Sequence, residues 1–71
     1  MEGDLQRVLG RNLRAWRNEH GISQEQLAHD LGYHRTYIGS VERGERNLSL
    51  KSVEKLAGEI GVEPLELLKA S

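Results

Sequence analysis

The chain has 71 residues, a net charge of −1 and no cysteine, which excludes a disulfide framework, a thiol nucleophile and a cysteine zinc site. A domain of this size buries roughly 60 % of its unfolded surface, and its core contributes no more than about 3–5 kcal/mol, so a partner subunit is a natural supplement. No apolar run approaches a membrane span, and the start MEGDLQ lacks the basic and apolar regions of a signal peptide, so a soluble cytoplasmic protein is expected.

The apolar periodicity predicts five short helices, no strand and one all-α domain over residues 1–71. Helix 1 runs from about Leu5 to Glu19, with Leu5, Val8, Leu9, Leu13 and Trp16 as one stripe, and His20-Gly21 ends it. Ser23 caps helix 2 (about 23–31), Gln26 is expected to reach back to it, and Ile22 with Leu27 forms a hydrophobic staple. Helix 3 covers about 35–43 and stops at Gly44. Ser49 caps helix 4, with Leu48 and Val53 as staple and Leu50, Val53, Leu56, Ala57 and Ile60 as stripe. Gly58 inside that helix costs about 1 kcal/mol against alanine, which predicts close packing there. Pro64 opens a short fifth helix through Lys69.

Helices 2 and 3 carry a more specific pattern. Counting Gln24 as the first position, Ala28 is fifth, Gly32 ninth, Ile38 fifteenth and Val41 eighteenth. A small fifth residue lets two helices approach, and glycine at the ninth can take positive φ in a sharp connection. Ile38 and Val41 turn one face of helix 3 inward, leaving Arg35, Thr36, Tyr37, Gly39, Ser40 and Arg43 outward. This is the arrangement of a helix-turn-helix, whose second helix reads the major groove of DNA. The charge distribution agrees with one DNA-facing side: residues 34–51 carry net +2, whereas 52–71 carry −2.

The run SQEQLA, the segment RTYIGSVERGERNLSLKSVEKLA and the overall length resemble the Xre/Cro-type helix-turn-helix regulators of bacteria and phage. The pattern RTYI … ER … RN from Arg35 to Asn47 is most similar to the controller proteins of restriction–modification systems. The likeness spans about Leu13 to Leu67. It implies a five-helix, phage-repressor-like domain and a homodimeric transcription regulator, repressor or activator, that binds palindromic operators in double-stranded DNA. It implies that Gln24 meets a backbone phosphate and that Arg35 and Thr36 read bases, Arg35 through guanine O6 and N7. Ser40, one turn further, touches a base or a phosphate. Tyr37, Arg43, Arg46 and Asn47 match positions that grip the sugar–phosphate backbone. Arg17 and Glu42 match a buried ion pair, so Glu42 is not expected to touch DNA.

Arg7, Arg11 and Arg14 share one side of helix 1, and Arg14 is the member expected to reach the backbone; His34, just before helix 3, is another such candidate. Trp16 is expected in the core. Val62, Leu65, Leu67 and Leu68 offer more apolar surface than a small core absorbs, which predicts a dimer interface within about 58–70. Activation needs a further exposed patch for RNA polymerase, with Glu45 a candidate contact. His20, His29 and His34 lack metal-ligand spacing, and neither a nucleophile elbow nor a phosphate loop occurs. No metal, cofactor, small-molecule ligand or enzymatic activity is therefore expected. The alternative reading is an antitoxin or adaptor with this fold, against which the chain's end at Ser71, without a toxin-binding tail, argues.

Overall fold

The structure, a computed structural model, describes residues 4–70. Met1–Gly3, part of the segment read for a signal peptide, and Ser71 lie outside the described residues. Five helices follow in order: α1 (Asp4–Glu19), α2 (Gln24–Leu31), α3 (Arg35–Glu42), α4 (Leu50–Ile60) and α5 (Pro64–Leu68). No strand occurs among the described residues.

Local chemistry sets the ends of these helices. Ser23 Oγ accepts the Gln26 N–H at 3.0 Å, satisfying one of the free donors of α2. The expected reciprocal contact of Gln26 does not form. Its amide donates instead to Asp30 Oδ1 at 2.7 Å, one turn along the same face, where no backbone strain is needed. Gly32 closes α2 at φ 78°, and the Tyr33 N–H turns back to Ala28 O at 2.8 Å. This left-handed stop delivers the chain into α3 within three residues. Ser49 caps α4 by accepting the Ser52 N–H at 3.1 Å.

Every helix contributes to one apolar centre: Leu9 and Leu13, Leu27 and Ala28, Ile38 and Val41, Val53, Leu56 and Ala57, and Leu67. Trp16 only edges this core; its ring stacks on His20 with centroids 4.2 Å apart. Asn12 anchors α5 to α1, its amide donating to Leu67 O at 2.7 Å and Lys69 O at 2.9 Å. Carbonyls that the short helix leaves without partners are thereby satisfied.

Two contacts hold α1 across the end of α3. A Cβ on Gly10 would lie 2.5 Å from both Val41 O and Glu42 O, so only glycine admits this approach. Gly44, at φ +74°, meets the Arg7 stem, and a Cβ there would lie 2.9 Å from Arg7 Cγ. The expected role of Gly58 needs correction. Nothing lies within 4 Å of the Cβ it lacks, so close packing within the protomer does not explain it. The stripes of α1 and α4 also overrun the core: Leu5 and Leu50 are 63 % and 79 % exposed, because each sits in the first turn of its helix.

Gly10→Ala is expected to cost about 1–3 kcal/mol, the usual penalty of overpacking. Gly58→Ala is expected to gain about 0.5–1 kcal/mol from helix propensity. Urea denaturation midpoints read both; a neutral Gly10→Ala would contradict the backbone contact.

Candidate nucleic-acid interface

The interface is built outward from a buried ionic knot. Arg17 on α1 donates to Glu42 on α3 twice, Nε to Oε2 at 2.7 Å and Nη2 to Oε1 at 3.0 Å. Its remaining nitrogen, Nη1, donates to Ile22 O at 3.0 Å in the turn before α2. Gln24 Nε2, at the start of α2, adds a bond to Glu42 Oε1 at 2.9 Å. The two charged side chains are 12 % and 3 % exposed, so water screens them little. Burial pushes the Glu42 carboxyl up, but hydrogen bonds from Arg17 and Gln24, with the charges of Arg17 and Arg14, outweigh it and hold the carboxyl below its usual range. Geometry thus fixes the far end of α3 against α1 and the near end of α2.

That anchoring leaves the opening turn of α3 outward. His34, Arg35 and Thr36 are exposed, and His34 makes no side-chain cap. Arg35 Nη1 meets Glu25 Oε2 at 3.0 Å, with both side chains about two-thirds exposed. Arg43 Nη2 similarly meets Glu45 Oε1 at 3.1 Å. Exposed pairs of this kind contribute only about 0–1 kcal/mol, so a phosphate or a base edge can displace the carboxylates. Thr36, His34, Tyr37 and Arg46 converge with Gly32 and Tyr33 around one cleft of about 380 Å³. Burial, with Tyr33 adding to it, pushes the Tyr37 hydroxyl up.

Several expected contacts are tied inside the protein. Ser40 Oγ donates to Tyr37 O at 2.8 Å and accepts from Arg46 Nε at 3.3 Å. It is half-buried, and in the free chain its hydroxyl acts as a local brace. One N–H of the Gln24 amide serves Glu42, which leaves the other outside the ionic knot. Gly39 is buried because the Gln24 and Arg43 side chains lie over it. Gln6 Nε2 donates to Arg46 O at 2.9 Å and Asn47 Oδ1 at 3.2 Å, steadying the loop between α3 and α4. Arg14 is exposed on α1 close enough to act on Glu42 electrostatically.

The apolar residues assigned to an interface also divide. Leu67 is 2 % exposed and belongs to the protomer's own core, a correction that follows from the Asn12 anchor. Leu65 is 77 % exposed, whereas Val62 and Leu68 are half-buried. An apolar groove of about 90 Å³ runs between Leu5, Leu9, Leu48, Leu50, Val53 and Leu68. Sequence reading missed Gln6, Gly10, Asn12, Glu25, Tyr33 and Lys55. The four-residue spacing of Lys55 and Glu59 within α4 was a local signal for that pair. Among the described residues, no group of three His, Asp or Glu could hold a metal ion.

Comparison with known proteins agrees with this architecture. The profile described as helix-turn-helix matches residues 13–67, and the chain belongs to that family. It is 48 % identical over 65 residues to the control protein C.SmaI of Serratia marcescens, covering 92 % of this chain and 77 % of that one. The crystal structure of the restriction–modification controller protein C.AhdI from Aeromonas hydrophila superimposes with TM-score 0.75 at 47 % identity, covering 87 % of this chain and 94 % of that one. The controller protein C.Esp1396I, solved as a tetramer in complex with its natural 35-base-pair operator, gives TM-score 0.74 at 32 % identity, with 93 % and 97 % covered.

The knot makes stability acid-sensitive in a calculable direction. Because the folded Glu42 carboxyl titrates below its ordinary pKa of about 4.3, its contribution is present above that value and lost as pH falls through the depressed one. Glu42→Gln is expected to cost about 3–5 kcal/mol at neutral pH and to flatten the acid loss. Urea midpoints from neutral to acidic pH, with trimethylamine N-oxide added equally to both samples, read this; parallel pH profiles would contradict it.

Proposed function

We propose that the chain is a homodimeric, sequence-specific DNA-binding transcription regulator of the controller type, acting on a palindromic operator. The observation that carries this reading is the opening turn of α3: Arg35 and Thr36 stand exposed at the tip of a helix whose other end is locked by Glu42. Arg35 supplies the planar fork that matches guanine O6 and N7, worth about 1–3 kcal/mol of discrimination. Thr36 offers a hydroxyl and a methyl to the neighbouring base. Gln24, His34, Tyr37, Arg43, Arg46, Asn47 and Arg14 surround that tip as backbone contacts that fix register. The relation to control proteins, one of them solved as a tetramer on its operator, supports the same reading.

A second copy doubles a modest set of phosphate contacts, which is how two weak sites give useful affinity. Leu65, with Val62 and Leu68 beside it, forms the dimer face in this proposal, and two reading helices then address half-sites about 34 Å apart. Contact with RNA polymerase belongs to the same proposal. Glu45, its candidate residue, is paired with Arg43 and also serves to balance that charge. Among the described residues no helix is long and apolar enough to cross a membrane, and the proposed role places the chain in the cytoplasm.

The test is selection of bound fragments from random duplexes, followed by titration of the selected duplex and a scrambled version. Wild type is expected to prefer the selected duplex, and Arg35→Ala to lose at least about tenfold of that preference with unchanged helicity. Equal affinity of wild type for both duplexes would reject the proposal, and retained discrimination in Arg35→Ala would reject that residue's role. A chain that stays monomeric on the selected duplex would reject the dimer.

A further inference from the structure

Four side chains stand in a row: Tyr33 from the turn before α3, Tyr37 from α3, Arg46 from the loop after it and Lys55 from α4. The rings of Tyr33 and Tyr37 meet with centroids 4.9 Å apart and planes tilted by 38°. The Arg46 guanidinium lies over the Tyr37 ring, 4.9 Å from its centroid. Lys55 Nζ lies 5.2 Å from the Tyr33 ring centroid, at the hydroxyl end of the ring. The Arg46 cation therefore faces the negative surface of the Tyr37 ring, and the two rings lie within the range of aromatic pairing. Hydrogen bonds close both ends. The Tyr33 hydroxyl donates to Glu59 Oε1 at 3.0 Å and accepts from Lys55 Nζ at 3.2 Å, while Arg46 Nε donates to Ser40 Oγ.

The row adds a polar and aromatic tie at the surface to the apolar centre that α4 shares with α2 and α3. Tyr33 and Lys55 tie α4 directly to the turn before α3. The loop carrying Arg46 leaves α3 and enters α4, so the row sets the separation of the loop's two ends. Gln6 holds the loop backbone, and the row holds the guanidinium.

We infer that Tyr33 and Lys55 are positioning residues for DNA binding: through Tyr37 they hold the Arg46 guanidinium at the rim of the cleft lined by His34, Thr36 and Tyr37, set for a phosphate oxygen. This rests on the functional reading above. An arginine already held in place loses less rotamer freedom when the phosphate arrives. Neither Tyr33 nor Lys55 needs to touch DNA for this effect.

Two measurements on the full chain test it. In the free protein, ring currents from Tyr37 displace the Arg46 side-chain proton resonances. Tyr33→Leu is expected to move these resonances toward their random-coil positions, and Tyr33→Phe, which keeps the ring but loses the hydroxyl's bonds to Lys55 and Glu59, to move them less. Lys55→Gln, which keeps both rings, is expected to give a smaller shift in the direction of Tyr33→Leu. Resonances unchanged in both Tyr33→Leu and Lys55→Gln would overturn the inference.

On DNA, Tyr33→Leu is expected to weaken binding about two- to fivefold on the selected and the scrambled duplex alike. It should also flatten the log–log salt slope toward that of Arg46→Ala, which loses about one unit, and Tyr33→Phe should restore most of both. An unaltered slope, or a loss confined to the selected duplex, would overturn the positioning role. If wild type prefers no duplex, the functional reading fails, and the Arg46 resonances alone decide whether the row holds that side chain.

Discussion

The structure depends on one buried carboxylate. Glu42 sits where α1, α2 and α3 meet, and it accepts hydrogen bonds from Arg17 and Gln24. A charge in that position costs several kcal/mol to desolvate unless its partners are complete, and here they are: among the described residues, no buried side-chain nitrogen or oxygen lacks a partner. The same network fixes three backbone elements at once. Arg17 reaches the carbonyl of Ile22, so the turn leading into α2 is registered against the helix that α3 packs upon. The close pass of Gly10 over the Val41 and Glu42 carbonyls completes the constraint. Such a pair adds little net stability, but it admits one geometry only.

From that fixed end, α3 projects its first turn away from the core. The groups that meet DNA in this account differ in how they are held. Arg35 and Arg43 are engaged by exposed carboxylates that exchange readily. Arg46 and Asn47 are engaged by polar or aromatic groups that set the loop between α3 and α4. The first kind suits contacts made only on DNA, a base for Arg35 and the backbone for Arg43, where partners must be surrendered. The second suits backbone contact, where register matters more than adaptability.

The legible part of the fold was local. Ser23, Gly32, Ser49 and Pro64 announce helix ends through capping and turn chemistry, and the structure places the helices within a residue or two of where those signals put them. The helix-turn-helix was legible because Ala28, Gly32, Ile38 and Val41 satisfy a steric pattern at fixed spacing. What escaped was tertiary. Nothing in the sequence shows that Asn12 would draw α5 onto α1 and consume Leu67, or that Arg46 would fold back on Ser40. Gly58 carries the opposite lesson: a glycine in a helix suggests a tight contact, yet open space surrounds it. Leucine stripes likewise overstate a core, since Leu5 and Leu50 lie beyond the point where neighbouring helices can cover them.

Amide chemical-shift mapping of the full chain at physiological ionic strength tests the central claim most directly, with a duplex chosen by the protein set against its scrambled version. The account predicts perturbations centred on residues 23–25, 34–37 and 43–47, strong with the chosen duplex and weak with the scrambled one. Perturbations centred instead on the groove between α1, α4 and α5, or equal for the two duplexes, would contradict it.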